Sequence, residues 1–261
     1  MSKESTGKTL VVATVLSVVC SMALAAAVTL LKPIQDQNRS LEKQRKILAA
    51  ALVLPEGEGS PTEVRAQFSH FQRYLVNLST GEFKEIKLDD SFDQRKAFKE
   101  ADKSIALSPE QDIAGLRRRA NEADIYVMRD ASGKVEKMVL PISGFGLWST
   151  LYGYIVLKND ANTVIGITFT EHAETPGLGG EVDNPKWKAL WQNKHVYSAD
   201  GQAHLKLIKG NVDLTKPDAN HHIDGLSGAT ITSNGVTNLV QFWMGDMGFK
   251  KFLNKVRTEG I

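Results

Sequence analysis

The chain has 261 residues and a single cysteine, Cys20, so it cannot build an internal disulfide or a multi-cysteine zinc or iron–sulfur centre. Cys20 lies inside an apolar run and reads as a small packing residue. An excess of one charge is also missing. The net charge is +2 with 24% charged residues, which gives no field to draw in nucleic acid or another polyanion. Aromatic residues, at 7%, are too sparse for a base-stacking platform. No G-x-G-x-x-G turn joins a strand to a helix, and no βαβ alternation surrounds one, which excludes a Rossmann dinucleotide fold. A G-x-S-x-G nucleophile elbow is absent as well, which removes the serine-hydrolase reading. Metal binding is not expected. Glu171, His172 and Glu174 lack H-E-x-x-H spacing, and the adjacent His221 and His222 are poorly placed to share one ion.

What is present begins at the N-terminus. Residues 9–31 are 23 uncharged, mostly apolar residues. As a helix they span roughly 34 Å, enough for a hydrocarbon core of ~30 Å. Lys3, Lys8 and Ala23-Leu24-Ala25 resemble parts of a cleaved signal peptide, but the apolar run continues through Val28, Leu30 and Leu31, which suits a retained anchor. Lys32, Arg39, Lys43, Arg45 and Lys46 follow the span, so a bare charge count leaves the C-terminal side in the cytoplasm. A long following domain weakens that rule, and charge alone leaves orientation open. The expected organisation is a short segment (1–8), a transmembrane helix (9–31), a stalk and helical spacer (32–123) and a C-terminal domain (124–261).

Within the spacer, Ser60, Pro61 and Glu63 form a helix start, and Val64, Phe68, Phe71, Leu75 and Leu78 recur at helical spacing up to Gly81. A strand is expected at 83–88, a helix near 91–103 and weak helix over 112–123. Strands follow at 125–129, 135–140, 151–158, 163–170 and 204–208, with a loop over 141–148. A helix holds Trp187, Leu190 and Trp191, and a last one runs over 233–247 with Ser233 as its N-cap. Hairpins with flanking helices define an α+β domain around an antiparallel sheet.

Three loops concentrate glycine beside hydroxyl or aromatic residues: 144–148, Glu174-Thr-Pro-Gly-Leu-Gly179, and 227–230. The stretch 224–233 around the third carries four hydroxyls, two glycines and one carboxylate just ahead of a helix, a natural phosphate position. On chemistry alone Thr230, Thr232 and Ser233 are rival acceptors for a phosphate ester.

Asp224-Gly-Leu-Ser-Gly-Ala-Thr230 resembles the flavinylation motif of FMN-binding domains, in which the final threonine carries FMN through a phosphoester. Glu174–Gly179 and Gly146-Leu-Trp-Ser149 resemble companion loops of that family. The anchor, spacer and C-terminal flavin domain together resemble the NqrC family, whose members belong to sodium-translocating NADH:quinone oxidoreductases. That resemblance implies covalent FMN on Thr230, small neighbours Ser227, Gly228 and Ala229, and ring contacts from Glu174 and Thr175. It further implies close contact from Gly177 and Leu178, packing by Leu147 and Trp148, and a polar contact from Ser149. Its implied partners are the other subunits of a membrane respiratory complex and a flavin transferase that moves FMN from FAD. It implies electron relay between those partners, and a single-pass location in the bacterial inner membrane with the domain on the periplasmic face. The corresponding flavin-bearing member of the related ferredoxin-oxidising Rnf complex is an alternative of the same class. An anchored extracytoplasmic binding or sensor domain without a cofactor is the alternative from another class.

Overall fold

The computed structural model describes residues 5–260; Lys3, counted above for the signal peptide, lies outside them. The chain divides into one unit ending at Lys43 and a second, compact unit over Gln44–Ile261. The first consists of most of a single helix, α1 (Thr6–Ala50). It begins before the expected span and continues past Pro33. Its apolar side chains from Leu10 to Leu31 are exposed, and its length and composition suffice to cross a membrane.

The second unit holds α2 (Pro61–Phe68), β1 (Phe71–Asn77), β2 (Phe83–Ile86), α3 (Gln94–Ala97), β3 (Ser104–Ala106), β4 (Arg118–Ala120) and β5 (Glu122–Arg129). There follow β6 (Val135–Phe145), β7 (Thr150–Lys158), β8 (Val164–Glu171), α4 (Pro185–Ala189), β9 (Lys206–Ile208), β10 (His222–Asp224), α5 (Thr230–Met244) and α6 (Lys250–Glu259). Six strands form an antiparallel sheet in the order β2-β1-β5-β6-β7-β8. β9 and β10 form a separate parallel pair, and β3 pairs with β4.

The helix drawn through Val64–Leu78 is a short helix and then a strand. Ser60 caps α2 by accepting from the Glu63 amide, and the turn at Ser69 and His70 delivers the chain into β1. β1 is paired on both sides and buried on both faces, so its sequence lacks period-2 alternation, and the three- and four-residue spacing is coincidental. The boundary drawn at 123/124 also fails. β1 from the expected spacer pairs with β5 from the expected domain, Tyr74 opposite Ile125, so the two regions share one sheet.

The sheet has two apolar faces. Tyr74, Ile125, Leu140, Ile155 and Ile167 lie side by side across it and pack under α5 and α6 through Leu239, Val240, Trp243 and Phe252. The opposite face carries Phe71 and Tyr126, against which Phe68 of α2 packs, and Tyr152, over which Arg95 of α3 lies at 3.8 Å. β6 runs further than its hydrophobic run suggests, through Pro141 to Phe145, because β7 pairs with it along that length. This extension seats α5. A Cβ on Gly144 would lie 2.4 Å from the Leu239 Cβ, and one on Gly235 would lie 2.5 Å from the Phe145 carbonyl oxygen. Trp243 Nε1 donates to the Ser143 carbonyl at 2.7 Å and fixes the far end of the same contact.

Gly235→Ala is therefore expected to push α5 off β6. An overpacking cost of ~1–3 kcal/mol should appear as a lower urea midpoint with an unchanged m-value. An unshifted midpoint would contradict this seating.

α5 starts three residues earlier than its sequence suggests, and its C-terminal end is Met244 rather than Met247. Gly248, where a Cβ would meet the Trp243 carbonyl oxygen at 2.0 Å, turns the chain sharply into α6. The weakly helical reading of 112–123 gives way to β4 and the start of β5. The residues near 91–103 form only the short α3, capped by Asp93.

Candidate functional site

The ends of β6 and β8 and the start of α5 meet at one corner of the domain, and the three glycine-rich loops meet there with them. Glu174 joins them. It is 5% exposed, and its Oε1 accepts from the Leu147 amide at 3.0 Å and the Trp148 amide at 3.1 Å. Its Oε2 accepts from the Thr232 hydroxyl at 2.5 Å. Two glycines make room for this carboxylate. A Cβ on Gly146 would lie 2.5 Å from Oε1, and one on Gly179 would lie 2.6 Å from Oε2.

Around this buried centre the remaining groups face outward. Trp148 is 64% exposed, and its Nε1 donates to Thr175 Oγ1 at 3.1 Å. Phe145, Leu147, Leu178 and Ile231 are also exposed, an unusual apolar concentration for one loop cluster. Ser149 is half-buried and its hydroxyl accepts from the Ala173 amide at 2.9 Å, which ties the first loop to the second. Gly177 adopts φ +75° in open space, where its turn requires a residue without a side chain.

The stretch 224–233 is held from below. Trp187 Nε1 donates to the Asp224 carbonyl, Asp224 Oδ1 accepts from the Val212 amide, and Gly225 packs so closely that a Cβ would lie 2.4 Å from the Ile208 carbonyl oxygen. Ser227 and Gly228 are exposed, and Gly228 takes φ +70° with its α-carbon facing the Leu178 side chain. Ala229 is buried and precedes Thr230, the first residue of α5. Ser233 is not the N-cap. It lies within the first turn, 8% exposed, and its Oγ accepts from the Leu226 amide at 3.0 Å, which closes the loop onto the helix.

The first turn therefore sorts its hydroxyls. Thr232 and Ser233 are buried and bonded, while Thr230 is exposed. The leading amides of α5 have no carbonyl behind them within the helix, and their dipole favours an anion. A phosphate at Thr230 with a planar apolar ring against the exposed rim fits the residues present.

Beneath Glu174, the His172 ring accepts from the Glu174 amide at Nδ1, 3.2 Å away, and its Nε2 lies 3.0 Å from Asp183 Oδ2. The amide contact places the ring proton on Nε2. Burial works against the Asp183 carboxylate, but the His172 hydrogen bond and the Lys46 and Lys188 ammonium groups outweigh it and hold its pKa below the usual 3.8. Stability from this group is thus present above 3.8 and is lost as pH falls, because the unfolded chain binds the proton first. Asp183→Asn is expected to flatten the acid-side fall of the melting temperature below about pH 4. An equally steep fall in the variant would show that the pair contributes nothing. Among the described residues no group of three histidine, cysteine or carboxylate side chains is placed to hold a metal ion.

Comparison with known proteins agrees with this geometry. Residues 146–245, which include the second and third loops and residues 146–148 of the first, match the family model of the FMN-binding domain, and this class fits an exposed hydroxyl at a helix start beside an apolar rim. Over 98% of its length the chain is 48% identical to the NqrC component of the Na(+)-translocating NADH-quinone reductase of Pseudomonas aeruginosa, and 98% of that protein is covered. The same component from Yersinia pestis is 44% identical over all of this chain and 96% of its own. The crystal structure of Shewanella oneidensis NqrC superposes with a TM-score of 0.76 at 37% identity, covering 85% of this chain and 98% of that one. The chain belongs to the NqrC family of Na(+)-translocating NADH-quinone reductases, and so to an oxidoreductase built from several subunits.

Proposed function

We propose that this chain is an electron-transfer subunit whose FMN is esterified to Thr230. The observation that carries the reading is the sorting of hydroxyls in the first turn of α5, where Thr230 alone is exposed. In the maturation step the Thr230 oxygen attacks the FMN phosphorus of FAD. The Oγ–P bond forms, the pyrophosphate P–O bond breaks, AMP departs, and the hydroxyl proton passes to a base on the flavin transferase. Thr230 is an acceptor and takes no part in later chemistry.

Flavin supplies the redox chemistry when bound. The chain supplies attachment and surroundings. Ser227, Gly228 and Ala229 keep the approach to Thr230 unobstructed, and the first-turn amides of α5 face the phosphate. Leu147, Trp148 and Leu178 give apolar walls, Gly177 allows close backbone approach, and Thr175 and Ser149 add polar contacts at the rim. These residues exclude water from one side of the ring and fix its orientation toward a partner. NADH oxidation and quinone reduction belong to other subunits, because this chain carries no nicotinamide fingerprint; the names of its relatives support a place in a sodium-translocating complex. Residues 9–31 anchor it in the bacterial inner membrane with the domain on the periplasmic side, a placement supported by the family resemblance and opposed by the bare charge count.

Mass spectrometry of the peptide containing Thr230, after coexpression with a flavin transferase, tests the reading. One FMN, less water, on Thr230 supports it. An unmodified peptide, or FMN on another residue, overturns it.

A further inference from the structure

A buried carboxylate with three protein donors is costly unless it organises something. Glu174 is expected from the family resemblance to touch the isoalloxazine ring, yet in the structure both of its oxygens are already engaged. Oε1 serves two consecutive amides, those of Leu147 and Trp148, and Oε2 serves the Thr232 hydroxyl. The residue is 5% exposed and Thr232 is 1% exposed, so neither end of this link faces outward. Of the two glycines that would clash with it, Gly146 comes from the loop whose amides it binds and Gly179 from its own loop, so the backbone of both is shaped around the carboxylate.

The consequence concerns which hydroxyl is modified. Thr232 stands two residues beyond Thr230 in the same helical turn. A bond from its hydroxyl to Glu174 fixes the rotation of α5 at its first turn, holds Thr232 inward and leaves Thr230 outward. The same carboxylate, through the Leu147 and Trp148 amides, sets the height of the apolar wall beside that hydroxyl. The geometry points to Glu174 as the positioning residue of the flavin-acceptor site, acting through Thr232 on one side and the 147–148 amides on the other. This rests on the reading of Thr230 as the acceptor.

Glutamine can reproduce the connections. Its carbonyl oxygen can accept from both amides, and its NH2 group can donate to Thr232, whose hydroxyl then turns. Alanine cannot. The test uses the purified full-length chain in detergent with FAD and flavin transferase, following the initial rate of FMN incorporation and the modified residue by mass spectrometry. Glu174→Ala is expected to slow incorporation at Thr230 by about tenfold or more, while Glu174→Gln stays within about threefold of the parent. Thr232→Val is expected to slow it as well. In the Glu174→Ala/Thr232→Val double variant the two effects should not multiply, because one link is removed twice. A merely structural loss would follow melting temperature, would not be rescued by glutamine and would give multiplying effects.

Amide hydrogen exchange on the flavin-free chain reads the clamp independently of the ester. Protection at Leu147 and Trp148 should be lost in Glu174→Ala and kept in Glu174→Gln. Parental incorporation rates in Glu174→Ala, or unchanged protection of both amides, would overturn the proposal. If the parent chain carries FMN elsewhere than Thr230, the acceptor reading fails and the positioning role falls with it, whereas the exchange result still reports whether the clamp exists.

Discussion

Thr230→Ala is expected to abolish covalent flavin entirely, seen as loss of the fluorescent band after denaturing electrophoresis. The size of the effect follows from geometry rather than from reactivity, since the hydroxyls of serine and threonine are chemically similar. Thr232 donates its hydroxyl to a buried carboxylate, and Ser233 uses its oxygen to hold the Leu226 amide. Neither can reach a phosphorus atom held by another protein without unwinding the first turn of α5. Ser227 is the other exposed hydroxyl of the stretch, but it precedes Gly228 and stands outside the helix, away from the leading amides that favour the phosphate. Ser227→Ala and Ser233→Ala should therefore keep the band, and Thr230→Ser, which preserves the hydroxyl at the same place, should keep it too. A band that survives Thr230→Ala would remove the assignment, and its disappearance in Ser227→Ala would move the acceptor to that residue.

The second large effect is on stability. Arg73 and Asp124 lie on neighbouring strands, both buried, with Arg73 Nε and Nη2 at 3.2 and 2.9 Å from Asp124 Oδ2. The rest of the guanidinium reaches the carbonyls of Leu88, Asp90 and Phe92, so one side chain also pins the 88–92 loop to the sheet. Arg73→Ala would leave a carboxylate buried without its partner and three carbonyls without a donor. The expected cost is ~3–5 kcal/mol, or a fall of about 10 °C in melting temperature for a domain of this size. Replacing the pair together, Arg73→Met with Asp124→Leu, should recover most of that loss, because the cost lies in the orphaned charge. A double variant as unstable as Arg73→Ala would instead place the energy in the loop carbonyls.

The two predictions differ in how far the sequence alone supports them. The stretch 224–233 stands out in the sequence because its composition is local: small residues and hydroxyls before an amphipathic helix. The long apolar helix is readable for the same reason, since a charge-free run needs no tertiary context. Hairpins from β5 to β8 also show through their alternation and turns. β1 does not, because a strand buried on both faces loses the alternation that marks strands, and its apolar residues happen to continue the helical spacing of α2. The partition at 123/124 follows from that error, since a spacer helix offers no strand to share. Ser233 is misplaced because a serine three residues into a helix resembles a cap until its partner, the Leu226 amide, is known. The link from Glu174 to Thr232 spans 58 residues, a separation at which no local pattern could reveal it.

The last turns of α1 have an effect beyond carrying the chain away from the apolar span. Ile47 and Leu48 are fully buried in the second unit, the Ala50 carbonyl lies directly over Gly166, and Lys46 Nζ donates to the Phe169 carbonyl at 2.8 Å. Further along the same outermost strand, Val164 exchanges backbone hydrogen bonds with Asn193 and Lys194. An outermost strand left bare is a template for another chain. The tail of α1 therefore covers part of one face and one carbonyl of this outermost strand, and a fragment that begins after residue 50 would uncover both along with two large apolar side chains' worth of core.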